Sequence, residues 1–160
     1  MLGLHKLKKN IMNKQDLIKK TKRVVIKIGS ALLIDSETGK LQKNWLETLA
    51  FDINNLIRSG IEVIIVSSGS IALGKKQLNL RNNLSLDEKQ AAAATGQITL
   101  AHAWKETMSK YELNVAQILL APDDTETRRK HLNARATLIR LLDLNVIPVI
   151  NENDTVSTEE

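Results

Sequence analysis

Four short apolar runs rich in β-branched residues constrain this chain most: "RVVIKIG" (23–29), "EVIIVSSG" (62–69), "NVAQILLA" (114–121) and "NVIPVINEND" (145–154). Three are nearly continuous rather than alternating, the pattern of strands buried on both faces of a parallel sheet. Helical patterns fill the intervals. Over 44–58, Trp45, Leu49, Ile53, Leu56 and Ile57 recur at spacings of three and four, with Gly60 placed for a C-terminal cap. The alanine-rich stretch 87–110 predicts a second helix with Ala94, Ile98, Ala101 and Trp104 on one stripe. A third is predicted over 125–143, carrying Leu132, Ala136, Ile139 and Leu142, with Asp123 as N-cap and Glu126 three residues on. This alternation is the order of an open α/β sheet with right-handed crossovers. One segment departs from it: "ALLIDSETGKLQ" (31–42) alternates weakly around a Thr-Gly turn and reads as a β-hairpin inserted after the first strand.

A chain of 160 residues, 42% of them hydrophobic, has room for one domain with a core. Its net charge of +5 suggests nucleic acid until the distribution is read. Eight of the 23 basic side chains lie within residues 1–23 against Asp16 alone, leaving 15 basic against 17 acidic groups elsewhere. The globular part has no excess from which to build a phosphate-backbone footprint, so no nucleic-acid partner is expected. Residues 1–22 read as a basic extension, flexible or a short helix with Leu4, Leu7, Ile11, Leu17 and Ile18; a membrane surface or an acidic partner is the functional alternative. No apolar run approaches the roughly 18 residues of a membrane span. Absence of cysteine removes thiolate chemistry and accords with a reducing, cytoplasmic location.

Open α/β sheets bind ligands beyond the carboxyl ends of their strands. Polar residues collect there: Lys27, Gly29 and Ser30 after the first run, Ser67, Ser68, Gly69 and Ser70 after the second, Asn151, Glu152, Asn153 and Asp154 after the last. Lys27 sits among Val24, Val25, Ile26 and Ile28, where an ammonium is costly unless it reaches water or an anion; a lysine snorkelling from a strand end is the plainer alternative. Gly29-Ser30 supplies a turn where main chain can approach a ligand. Gly69 through Gly74-Lys75-Lys76 nearly spells a phosphate-binding loop, but Lys76 stands where a magnesium-binding hydroxyl is required. Ile71, Ala72 and Leu73 suit a helix already under way, so the near-match is read as coincidental. "NENDT" offers amides and carboxylates for an amino group or a cation, or an Asx-rich turn. His5, His102 and His131 lack metal-ligand spacing, no residue is assigned to a metal, and Arg128-Arg129 reads as a solvated helix face.

Taken together, "VVIKIGS", "VIIVSSGSIALG", "AAAATGQ", "LNARATL" and "VIPVINENDTV", spread over residues 23–158, resemble the amino acid kinase family, and within it the branch that phosphorylates glutamate. The resemblance implies a three-layer αβα sandwich on a mostly parallel sheet. It implies transfer of the ATP γ-phosphoryl group, with Mg²⁺, to the side-chain carboxylate of L-glutamate, the first step of proline biosynthesis. By matching position, Lys27 resembles the lysine that neutralises the transferring phosphoryl, and Gly29 and Ser30 the first phosphate-facing turn. Ser68, Gly69 and Ser70 resemble the glutamate and phosphoryl loop, and Asn151 and Asp154 the residues that hold the substrate. The family pattern continues beyond Glu160 into a Gly-Asp-Asn-Asp stretch and a nucleotide-binding half. The expectation for 23–160 is therefore a partial, substrate-binding half of the domain, with little activity alone and with a homo-oligomer or a separately encoded second half as partner. Alternatives are a noncatalytic interaction module that keeps at most a glutamate loop, or a related kinase with another acceptor.

Overall fold

The computed structural model describes residues 21–35 and 37–156. The basic extension expected over 1–22 lies, but for its last two residues, outside the described residues. The strands are β1 (Arg23–Ile28), β2 (Glu62–Ser67), β3 (Asn114–Leu120) and β4 (Val146–Glu152). Their helices are α1 (Ser30–Leu33), α2 (Lys43–Arg58), α3 (Ser70–Gln77), α4 (Leu86–Ser109), α5 (Pro122–Glu126) and α6 (Arg128–Asp143). All pairings are parallel and the strand order is β1-β2-β4-β3, so the last strand in sequence enters between the second and the third.

That order follows from where the crossovers run. The connections through α2 and α4 step in one direction along the sheet, and right-handed crossovers put both helices on one face. There Leu46, Ala50 and Ile53 of α2 and Leu100, Trp104 and Met108 of α4 close over Ile28, Val63, Ile65, Ile147 and Val149. The connection through α5 and α6 steps back, which sends α6 to the opposite face against β4. Register fixes which residues share a face: Ile26 pairs Ile65, and Ile65 pairs Val149.

Burial on both faces holds for the central strands and not for β1. As an edge strand β1 alternates, with Ile28 buried and Val25 58% exposed. In α2 the expected cap is present: the Gly60 amide donates to Ile57 O and the Ile61 amide to Leu56 O. The stripe expected in α4 is corrected. Ala94 is exposed and Ile98 is 74% exposed, while Ala92, Ala93, Gly96, Leu100 and Ala103 are inside. Small size decides this, because a Cβ on Gly96 or Gly74 would run into the main chain of the opposite helix, at Ser70 O and Ala92 O respectively. Helices α3 and α4 thus touch backbone to backbone, a contact that a hydrophobic period does not register.

Two further expectations change. The hairpin over 31–42 shrinks to one antiparallel bridge, Ile34 to Leu41, because 30–33 coil into α1. Leu33 and Ile34 are consecutive and both buried, which an alternating strand cannot achieve. Between them and Leu41 the Asp35 carboxylate accepts from the Thr38 amide at 2.7 Å and from Thr38 Oγ1 at 2.8 Å, closing an Asx-type turn. The helix expected from Thr125 begins instead as α5 with Pro122 at its first position, and breaks at Thr127, whose extended backbone (ψ 115°) starts α6. Asp123 is not its N-cap; its carboxylate accepts from Lys130 Nζ at 2.6 Å. No helix of the described residues is long and apolar enough to cross a membrane.

Candidate functional site

The carboxyl ends of β1, β2 and β4 lie side by side, and each continues into a turn with a different task. After β2, Gly69 adopts φ +111° and stands directly before α3. A side chain there would be strained by that φ and would also come within 2.8 Å of Ile34 Cδ1. The main chain is therefore bare. Leu73 is the first residue of α3 whose amide has a partner within the helix, Gly69 O at 3.1 Å, so among the described residues the N–H groups of Ser70, Ile71 and Ala72 have no helical acceptor and lie at the positive end of the helix.

Gly74 and Lys75 fall inside α3, as the near-match to a phosphate loop required if it was coincidental. Gly74 serves the contact with α4, and Lys75 Nζ donates to Asn82 Oδ1 at 2.7 Å at the far end of the helix. Beside α3 a cleft of 640 Å³ opens toward residues 30–39, with Ser30, Asp35, Lys75 and Lys76 in its wall.

Ser70, Asn151 and Asp154 are brought together. Ser70 Oγ donates to Asp154 Oδ2 at 3.1 Å, and Asn151 Nδ2 donates to Ser70 Oγ at 3.4 Å. Ser70 is 2% and Asn151 5% exposed, so these bonds form where water competes little. A hydroxyl has one hydrogen, and that of Ser70 goes to Asp154; Ser70 therefore shapes the site rather than donating to a ligand. Ser68 Oγ donates to Ile28 O at 3.3 Å, tying the β2 turn to the end of β1. Ser67, one of the polar residues collected after the second run, belongs to the core instead: it accepts from the Trp104 indole N–H at 3.2 Å. Asn153 closes its own turn, accepting from Thr155 Oγ1, while its amide donates to Leu120 O.

Lys27 is not joined to this cluster. It is exposed, pairs Val66 across the strands, and alternation puts its side chain on the face opposite Ile26 and Ile28. Gly29 is extended with φ −75° and leads into Ser30, the first residue of α1; both are exposed. One member of the cluster escaped the sequence reading. Gln97 Oε1, on α4, accepts from Asn151 Nδ2 at 2.7 Å. Its only signal was a polar residue inside an alanine-rich helix, within the "TGQ" that carried the resemblance.

A phosphate group is the kind of anion that the bare turn at Gly69 and the N-terminus of α3 behind it would suit. Among the described residues no group of three or more His, Cys, Asp or Glu could hold a metal ion. A magnesium ion would find Asp154 as the carboxylate of this cluster and take the rest of its shell from phosphate oxygens and water, a common arrangement for that ion.

An open parallel sheet with a glycine turn, a helix N-terminus and a carboxamide–carboxylate pair at its strand ends is an α/β architecture of the kind that binds ligands beyond the carboxyl ends of its strands. Residues 22–160 match the amino acid kinase family. The chain belongs to that family. It is 57% identical over 139 residues to a glutamate 5-kinase of Paramagnetospirillum magneticum, covering 87% of this chain and 38% of that protein. With a glutamate 5-kinase of Rhodospirillum rubrum it shares 58% identity over 137 residues, 85% of this chain and 36% of the relative. The chain thus spans well under half the length of the curated relatives it matches. Among solved structures it resembles an isopentenyl phosphate kinase product complex from T. acidophilum, with a TM-score of 0.54 and 13% identity over 81% of this chain and 54% of the other. A UMP kinase from Bacillus anthracis gives 0.52 and 21% identity, covering 81% and 52%. At such identities the structures bear on the fold alone.

Proposed function

We propose that this chain forms the acceptor-binding and phosphoryl-facing part of an enzyme that phosphorylates the side-chain carboxylate of L-glutamate, giving glutamyl 5-phosphate, the first step of proline biosynthesis. The observation that carries the reading is the Ser70–Asn151–Asp154 cluster standing beside the N-terminal amides of α3. Support also comes from relatives at 57% and 58% identity that are glutamate 5-kinases.

The chemistry asks little of the protein beyond positioning. A glutamate side chain is already ionised at neutral pH and needs no strong base to attack phosphorus. What must be overcome is repulsion between two anions held in line. Bound ATP, with Mg²⁺, supplies the phosphoryl group. In this reading the amides of Ser70, Ile71 and Ala72 receive its oxygens, with Gly29 and Ser30 forming the neighbouring phosphate-facing turn. Lys27, exposed near the end of β1, is the cation that the family resemblance assigns to the transferring group. Ser68 and Gly69 line the acceptor, and Asn151 and Asp154 hold its amino-acid end.

The test is calorimetric titration of the chain with L-glutamate, alone and as Asp154→Ala. A charge-assisted hydrogen bond is worth about 1.5–3 kcal/mol, so the substitution is expected to weaken binding roughly ten- to hundredfold. Glutamate binding that is unaffected by Asp154→Ala, or no binding by the unaltered chain, defeats the assignment.

A further inference from the structure

We propose that Gln97 is a positioning residue of this site: it fixes the side-chain amide of Asn151 so that Oδ1, and not the NH₂ group, is the atom presented to the ammonium of an amino-acid acceptor. The inference rests on the reading of the site as one for an amino acid.

The direction of the hydrogen bonds starts at Asp154. An ionised carboxylate only accepts, so the single hydrogen of Ser70 Oγ is committed to Asp154 Oδ2. Ser70 Oγ is then left with lone pairs, and the group facing it must donate; that group is Asn151 Nδ2. The second hydrogen of Nδ2 goes to Gln97 Oε1 at 2.7 Å, the shorter of the two bonds. Turning the Asn151 amide over would set Oδ1 against the Ser70 lone pairs and break that bond, and the bond to Gln97 would survive only if the Gln97 amide turned as well. Ser70 alone, at 3.4 Å, leaves the amide plane loosely held; Gln97 fixes it.

The consequence is a defined polarity. No hydrogen bond among the described residues takes Asn151 Oδ1, and no buried side-chain oxygen or nitrogen among them lacks a partner. Oδ1 therefore keeps contact with solvent and stands ready as an acceptor, the complement of an ammonium donor. Backbone packing sets the reach: Gly96 lies against the Ser70 carbonyl, so the next residue on α4 arrives at the strand end where Asn151 sits.

The test uses the full chain with two probes, L-glutamate and glutarate, the same dicarboxylate without the ammonium. Gln97→Met keeps the length and removes the acceptor; Gln97→Glu keeps an acceptor. The expected result is that the unaltered chain prefers L-glutamate, that Gln97→Met narrows the preference about tenfold with glutarate binding and unfolding midpoint unchanged, and that Gln97→Glu restores most of it. A parallel loss for both probes with a fallen midpoint marks a merely structural residue and overturns the inference, as does an unaltered preference. The NMR signals of the Asn151 NH₂ protons report on the amide without any ligand: they are expected to be shifted and slow to exchange in the unaltered chain and in Gln97→Glu, and to collapse toward free-amide values in Gln97→Met. Binding of neither probe by the unaltered chain defeats the amino-acid reading, and the NH₂ signals then decide alone: collapsed signals in Gln97→Met uphold the fixing of Asn151, unchanged signals overturn it.

Discussion

Replacing Gly96 by alanine tests whether the α3–α4 contact is what assembles the site. The added Cβ would lie 2.5 Å from the Gly74 amide nitrogen and closer still to the Ser70 carbonyl oxygen, where ordinary contact begins at 3.4 Å. Both atoms are main chain inside helices, so neither can rotate away; the helices must part by about 1 Å or more. Overpacking of this kind costs about 1–3 kcal/mol, and the absence of any side-chain escape puts this case at the upper end. The gain in helix propensity from glycine to alanine returns about 1 kcal/mol. A net loss of about 2 kcal/mol is expected, which for a chain of this size lowers Tm by roughly 4–8 °C. Gly29→Ala is the control, since nothing lies within 4 Å of its Cβ and its φ of −75° suits any residue. That variant is expected within about 0.5 kcal/mol of the unaltered chain. Urea unfolding followed by circular dichroism reads both. A Gly96→Ala variant as stable as the parent refutes the argument that backbone contact governs the packing of α4.

Two other expectations concern the frame of the site. Ser67→Ala removes the acceptor of the buried Trp104 indole N–H and leaves that donor unpaired, so a loss of about 1–3 kcal/mol is expected in urea unfolding; no change would mean that the indole finds another partner. At the loop after α1, the Thr38 amide and then the Thr38 hydroxyl hold the Asp35 carboxyl below its ordinary 3.8. A depressed folded value means that the turn contributes stability above the ordinary carboxylate range and loses it as pH falls through the folded value. The Thr38 amide resonance should therefore titrate with a midpoint below the ordinary carboxylate value, and Asp35→Asn should abolish that titration.

Much of this architecture could be read from the residues, and the misreadings share a cause. All four apolar runs became strands because β-branched runs bounded by polar turns admit few other conformations. Ser70, Asn151 and Asp154 were found because strand ends are where an open sheet exposes polar groups, and they meet as expected. Hydrophobic period failed where something other than apolar area chose the buried face. In α4 it was the small size of Ala92 and Gly96, which left Ile98 outside. In 31–42 it was an Asx-type turn with two adjacent buried residues, Leu33 and Ile34. Gln97 was missed because its partner lies 54 positions away, and no local pattern encodes that distance.

The interleaved strand order bears on how the molecule comes into being. Strands β2 and β3 have no edge in common until β4 slides between them. A nascent chain that has left the ribosome only through β3 holds a two-strand ribbon and a lone strand whose amides have no partner, the condition in which stray association is easiest. Synthesis of β4 resolves this in one stroke. The same few residues that seam the sheet, Asn151 among them, also complete the hydrogen-bonded cluster, so the cluster closes only once β4 is in place.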